Sequence, residues 1–185
     1  TEIYTLSLHD ALPISSGRTL YSYRLIPDHG SWMEVQFDIN DLIFIYLDRR
    51  RRRRKFLVST FLRAIGLETN HDLLDAVYGV ESLTVARLAK EDDLSAWFSA
   101  AAVGGDPAAG TDPLLPPLEP LNPEVLAQAK EAGIKKIDVV NTARLGDAFI
   151  RCLQRDPSTN SEEALKEIYR RRSEERRVGK ECRSR

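Results

Sequence analysis

Residues 31–38, SWMEVQFD, alternate with period two, and this pattern constrains the chain more than any other. Successive side chains of a strand point to opposite faces. Met33, Val35 and Phe37 therefore share one face, and Trp32, Glu34 and Gln36 share the other. Residues 42–48, LIFIYLD, are rich in β-branched and aromatic side chains and read as a second, more buried strand. Between the two, Asp38, Ile39, Asn40 and Asp41 supply turn chemistry, because Asn and Asp tolerate left-handed backbone. Residues 20–26 form a third candidate strand, stopped by Pro27, which has no N–H for a ladder. The expectation is a small antiparallel sheet.

A cationic run follows: Arg49, Arg50, Arg51, Arg52, Arg53, Arg54 and Lys55. Adjacent like charges repel, a cost that an anionic partner offsets. Such a run binds phosphates with release of counterions, or it is a solvated surface or localisation signal. The run alone leaves both readings open. Beyond it, Leu57, Phe61, Ala64 and Ile65 share a helical face and Gly66 ends the helix. A second short helix is expected over 70–78, with Leu73, Leu74 and Val77 apolar.

Residues 79–121 show no period, and 100–120 are loaded with Ala, Gly and Pro; the stretch reads as a divergent or damaged linker. Order returns with Asn122 as N-cap, Pro123 at the first helical position and Gly133 as the stop. A strand over 134–140 and a helix over 145–153 follow. Asp156 and Pro157 break that helix, and the spacing of Asn160 and Glu163 opens a last one through Leu165, Ile168 and Tyr169. The fold class is α+β, a small antiparallel sheet with packed helices.

The two ends stand apart. Residues 172–185, RSEERRVGKECRSR, and 1–14, TEIYTLSLHDALPI, both match translations of a common sequencing adapter. With Arg172 to Arg177 written AGA TCG GAA GAG CGT CGT, the opposite strand, shifted in frame, encodes His9, Asp10, Ala11, Leu12, Pro13 and Ile14. One DNA segment read from both strands accounts for both tails, so they are excluded from fold reasoning. Excluding them removes six basic and five acidic residues, and 15–171 keeps 21 and 23, a net charge of −2. Any nucleic-acid signal must therefore come from local clustering.

The residue types limit the chemistry. Apolar content of 42% and charged content of 30% are those of an ordinary globular chain. No apolar run reaches membrane-spanning length, and the first residues lack a secretory signal pattern. Cys152 and Cys182 give neither a disulfide framework nor a metal spacing, which makes a reducing cytoplasm the default. His29 and His71 have no partners at ligand spacing. No phosphate loop or nucleophile elbow is present, and Asp92 with Asp93 or Glu162 with Glu163 read as solvated helix residues. Trp32 stands out on a polar strand face, either packed under a neighbour or offered to a partner.

Residues 21–66 contain RLIPDHGSW, EVQFD, a strand ending in LDRRR and a helix ending in LRAIG. In order and spacing they closely resemble the lobe region of the bacterial RNA polymerase β subunit. A second block, VLAQAKEAGIKKIDVVNT and then RDPSTNSEEALKEIYR, resembles the same family further along. The resemblance implies a lobe whose sheet and first helices are 15–78 and whose C-terminal helical part is 122–171. Between them the family normally has longer, strand-rich sequence. It implies one wall of the downstream DNA cleft, with Trp32 as a stacking platform for an unpaired non-template base, Asp48 as a polar contact, and Arg49, Arg50 and Arg51 as contacts to DNA. Arg52, Arg53 and Arg54 depart from the commonest pattern. The resemblance further implies a nucleotidyltransferase with α, β′, ω and sigma subunits in the bacterial nucleoid. Its catalytic Mg sits on β′, with no catalytic residue or cofactor in this piece. A free-standing basic binding module is the competing reading.

Overall fold

The computed structural model describes residues 10–13, 19–26, 32–47, 55–91, 93–104 and 113–181, with only the backbone of 10–13, 19 and 172–181. The fold is α+β, with antiparallel sheets and packed helices. It divides into two compact units, one of residues 1–68 and 155–185, the other of 69–154.

The first unit holds a five-stranded antiparallel sheet in sequential order: β1 (Asp10–Pro13), β2 (Thr19–Leu25), β3 (Met33–Phe37), β4 (Ile43–Leu47) and β5 (Lys55–Leu57). The β3–β4 turn uses the chemistry its residues suggest. Asp41 takes φ 56°, its N–H donates to the Asp38 carbonyl at 3.0 Å, and Asp38 N–H donates to Leu42 at 2.8 Å. Register then sorts the side chains. Tyr23, Val35, Ile45 and Phe56 lie abreast on one face, and Arg24, Glu34, Tyr46 and Lys55 on the other.

Helix α1 (Val58–Ala64) packs on β4 and β5, and Gly66 after it takes φ +126°, as a helix stop requires. Its buried face differs from the apolar one expected from sequence. Ser59, Thr60 and Arg63 are buried, while Ile65 is 63% exposed. The cause is Asp156, 0% exposed at its side chain, which accepts from Thr60 Oγ1 at 2.9 Å and from Ser158 N–H at 3.0 Å. Arg63 Nε lies 3.5 Å from the same carboxylate. Arg63 Nη1 donates to the carbonyls of Glu68 at 2.6 Å and Thr159 at 3.2 Å. A buried carboxylate with that many donors recruits the polar side of a helix in preference to an apolar one.

Two elements reach into the terminal stretches read as adapter. These are β1 and the last turns of the helix over Ser161–Glu181, numbered α6 below. Neither bears on origin. The edge of β2 offers unpaired N–H and C=O groups to any adjacent extended chain, and a Glu- and Arg-rich sequence propagates a helix already begun.

The second unit opens with α2 (Asn70–Tyr78), whose start carries a capping box the sequence reading passed over. Thr69 Oγ1 accepts from Asp72 N–H at 3.0 Å, and the Asp72 carboxylate accepts from Thr69 N–H at 3.3 Å. Then come β6 (Glu81–Thr84), α3 (Val85–Leu88), β7 (Trp97–Ser99), α4 (Pro123–Glu131), β8 (Lys136–Asn141) and α5 (Ala148–Arg155). The three strands form an antiparallel sheet in the order β6, β8, β7, around a core that includes Leu83, Leu88, Leu121, Leu126 and Val139.

The linker-like stretch 79–121 contributes β6, α3 and β7 to this unit. Its Pro-rich part is tied by single bridges, Phe98 to Pro120 and Val103 to Leu115. Side chains also serve its backbone: Ser99 Oγ donates to Pro116 O at 2.8 Å and Gln154 Nε2 to Leu118 O at 2.9 Å. Leu115, Leu118 and Leu121 are buried along a path that is neither helix nor ladder, so no period marks it. Asn122 is the N-cap of α4 by backbone geometry, with Pro123 following, but its side chain makes no capping bond.

The last helix, α6 (Ser161–Glu181), belongs to the first unit and packs on α1. Asn160 Oδ1 accepts from Glu163 N–H at 2.9 Å, while the Glu163 carboxylate reaches one residue further back, to Thr159 N–H at 2.9 Å and its hydroxyl at 2.8 Å. Those two donors hold Glu163 below the usual glutamate range.

Candidate nucleic-acid interface

Trp32, Leu47 and the backbone of Lys55 lie at one end of the five-stranded sheet because of its register. Trp32 immediately precedes β3, whose first residue, Met33, pairs with Leu25 and Leu47. Leu47 closes β4, and Lys55 opens β5 opposite Tyr46. Both described residues that bracket the cationic run therefore sit at the Trp32 end.

Trp32 is half-buried. The Arg24 guanidinium lies 5.9 Å from the centre of its ring, within the range where a cation is drawn to an aromatic face. Arg24 also pairs with Glu34, its register partner, at 3.6 Å. Lys55, the last cation of the run, turns to the Phe44 ring, with Nζ 4.1 Å from its centre, and lies 3.9 Å from Asp38. Its charge is thus shared with groups of its own sheet. The indole and the Arg24 guanidinium at that end can take up a planar base and a phosphate, whereas the Lys55 ammonium reaches toward Asp38 in the β3–β4 turn at the other end.

Among the residues expected to touch DNA, Trp32 is placed by the structure; Asp48, Arg49, Arg50 and Arg51 lie outside the described residues, as do Arg52, Arg53 and Arg54. Arg24 was missed by sequence reasoning. Its signal was phase: it alternates with Ser22 and joins the Trp32 face once the hairpin register is known.

The second unit carries a cleft of about 700 Å³ with an apolar floor of Val85, Leu94, Leu121 and Leu126 and with Glu91 and Lys130 at its rim. Among the described residues, no group of three His, Cys, Asp or Glu side chains is gathered to hold a metal, and no helix is long and apolar enough to cross a membrane. Tyr78 bonds through its hydroxyl to Gly146 O at 2.8 Å, and burial pushes it up to about 12.

The described residues thus form two small units of an α+β class, the first with a mixed polar and aromatic sheet end. No family model matches the chain. Over about 160 residues it is similar to the β subunits of bacterial DNA-directed RNA polymerases. It is 41% identical to that of Methylacidiphilum infernorum over 168 residues, covering 85% of this chain and 13% of the relative. With Chlamydia muridarum it shares 38% over 160 residues, covering 85% of this chain and 12% of the relative. With Protochlamydia amoebophila it shares 35% over 158 residues, 84% and 12%. The chain therefore spans about an eighth of the length of the relatives it matches.

Proposed function

We propose that this chain is a piece of the β subunit of a bacterial RNA polymerase, from the lobe that lines downstream DNA. Residues 15–171 are the biological segment in this reading, and 1–14 and 172–185 are translated adapter. The aligned 85% amounts to about 157 residues, the length of 15–171, which supports that division.

Trp32 then stacks on an unpaired non-template base, an interaction worth roughly 1–3 kcal/mol per base. Asp48 is a polar contact to that base, and Arg49, Arg50 and Arg51 neutralise phosphates. The observation that carries the DNA contact is the bracketing of the cationic run by Leu47 and Lys55 at the Trp32 end of the sheet. Arg24 adds a cation beside the indole. The parent enzyme joins nucleotides with Mg held by β′, alongside α, ω and sigma subunits in the cytoplasm. This segment binds DNA and supplies no catalytic group.

The test uses the full-length subunit in assembled polymerase. Trp32→Ala shortens the lifetime of promoter complexes and weakens base preference at the downstream bubble edge, leaving nucleotide addition unchanged. Replacing Arg49, Arg50 and Arg51 by Ala flattens the dependence of binding on salt by about one unit of log slope for each phosphate left without its cation. Unaltered lifetimes, base preference and salt slope would remove the site. A native locus encoding only a short product would favour the free-standing module.

A further inference from the structure

The sheet face opposite Trp32 is apolar across its width. Its cross-strand rows are Tyr23, Val35, Ile45 and Phe56; Leu25, Met33 and Leu47; and Phe37 with Ile43. None of these carries a charge. Of this face Phe56 and Ile45 are buried at 2% and 3% exposed, Tyr23, Leu25, Met33, Val35, Ile43 and Leu47 are half-buried, and Phe37 and Tyr21, on β3 and β2, are 37% and 61% exposed. Helix α1 packs on β4 and β5, the side where the burial is. Apolar surface such as that of Tyr21 and Phe37 is costly to leave in water, at about 25 cal/mol per Å².

We propose that the apolar face of β2 and β3 is covered, in the longer subunit, by another part of the same polypeptide presenting an apolar surface. This rests on the reading of the chain as a piece of a β subunit. The relatives align with it over only 12–13% of their length, so most of such a subunit lies outside these residues. The charges separate protein from nucleic acid as the occupant. Arg24 and Lys55 are on the opposite face, and among the described residues the apolar face presents no cation to neutralise a phosphate.

Radical footprinting of the full-length subunit, purified without its partner subunits and without DNA, tests this. Tyr21 and Phe37 are expected to resist labelling as fully as Phe56 does, and Phe37→Glu is expected to restore labelling at Tyr21. Labelling of Tyr21 and Phe37 in the subunit alone overturns the proposal. So does protection that appears only in the assembled enzyme, which assigns the face to another subunit. Protection in the isolated 185-residue chain that is lost on dilution assigns it to a second copy and equally overturns it. If DNA shields Trp32 while Tyr21 stays labelled, only this inference fails. If the native locus encodes no longer chain, the reading beneath it fails.

Discussion

At the centre of the first unit lies a charged pair, Arg63 and Asp156, with side chains 3% and 0% exposed. At the centre of the second lie Leu73, Leu74, Leu88, Val139 and Ile150, each at 0–1%. The centre of the second unit is non-directional apolar burial, and directional bonds from Ser99 and Gln154 are confined to the backbone of its Pro-rich stretch around Leu118. The first adds to the apolar burial of Ile45 and Phe56 a few directional contacts between segments far apart in sequence, Thr60 and Asp156 being 96 positions apart. A directional cluster is unforgiving, because removing one member strands the charge of another.

The largest expected effect separates the two kinds of centre. Arg63→Ala or Asp156→Ala is predicted to destabilise the first unit by about 3–5 kcal/mol, since each leaves an uncompensated buried charge. The pair of changes Arg63→Met and Asp156→Leu is predicted to cost less than either truncation. Leu88→Ala costs about 2–5 kcal/mol, confined to the second unit. Denaturation followed by one probe in each unit checks this. A double replacement as costly as the sum of the single truncations would break the contrast.

A smaller effect is set by pH. Burial of Asp156 raises its affinity for protons, but the bonds from Ser158, Ser59 and Thr60 outweigh burial and hold it below the usual aspartate range. Its folded pKa is thus lower than its unfolded one, near 3.9. The stabilisation is present above that value and is lost as pH falls through the folded pKa. The lowered carboxylates of the second unit, Asp72 and Asp93, lie at the surface. Acid titration is therefore expected to loosen the first unit before the second, and Asp156→Asn to abolish the difference. Simultaneous acid transitions in the unaltered chain would contradict it.

Smallest is the cap of α2. Thr69→Ala removes one side of the capping box and is predicted to cost about 1 kcal/mol, read as faster hydrogen exchange in the first turn of α2 with the first unit unchanged.

What the sequence made legible follows the same divide. Short-range patterns carried over: the alternation of β3, the Asp41 turn, the helix over 70–78 and the Pro123 start of α4 all depend on neighbours a few residues away. The polar buried face of α1 was hidden, because its cause is Asp156, on a segment no local period connects to it. The same holds for Arg24 beside Trp32, which needs the β2–β3 register. The path of the described residues 79–91, 93–104 and 113–121 was illegible for another reason. It is fastened by side-chain bonds and single bridges, and neither leaves a periodic trace.

In the proposed reading, one face of a single sheet meets nucleic acid and the other meets protein. A photo-crosslinking residue placed in turn at positions 32 and 37 of the full-length subunit, irradiated in promoter complexes, tests it directly. Position 32 is predicted to crosslink to the non-template strand at the downstream bubble edge, and position 37 to the same polypeptide. DNA crosslinks from position 37, or none from position 32, would contradict the account.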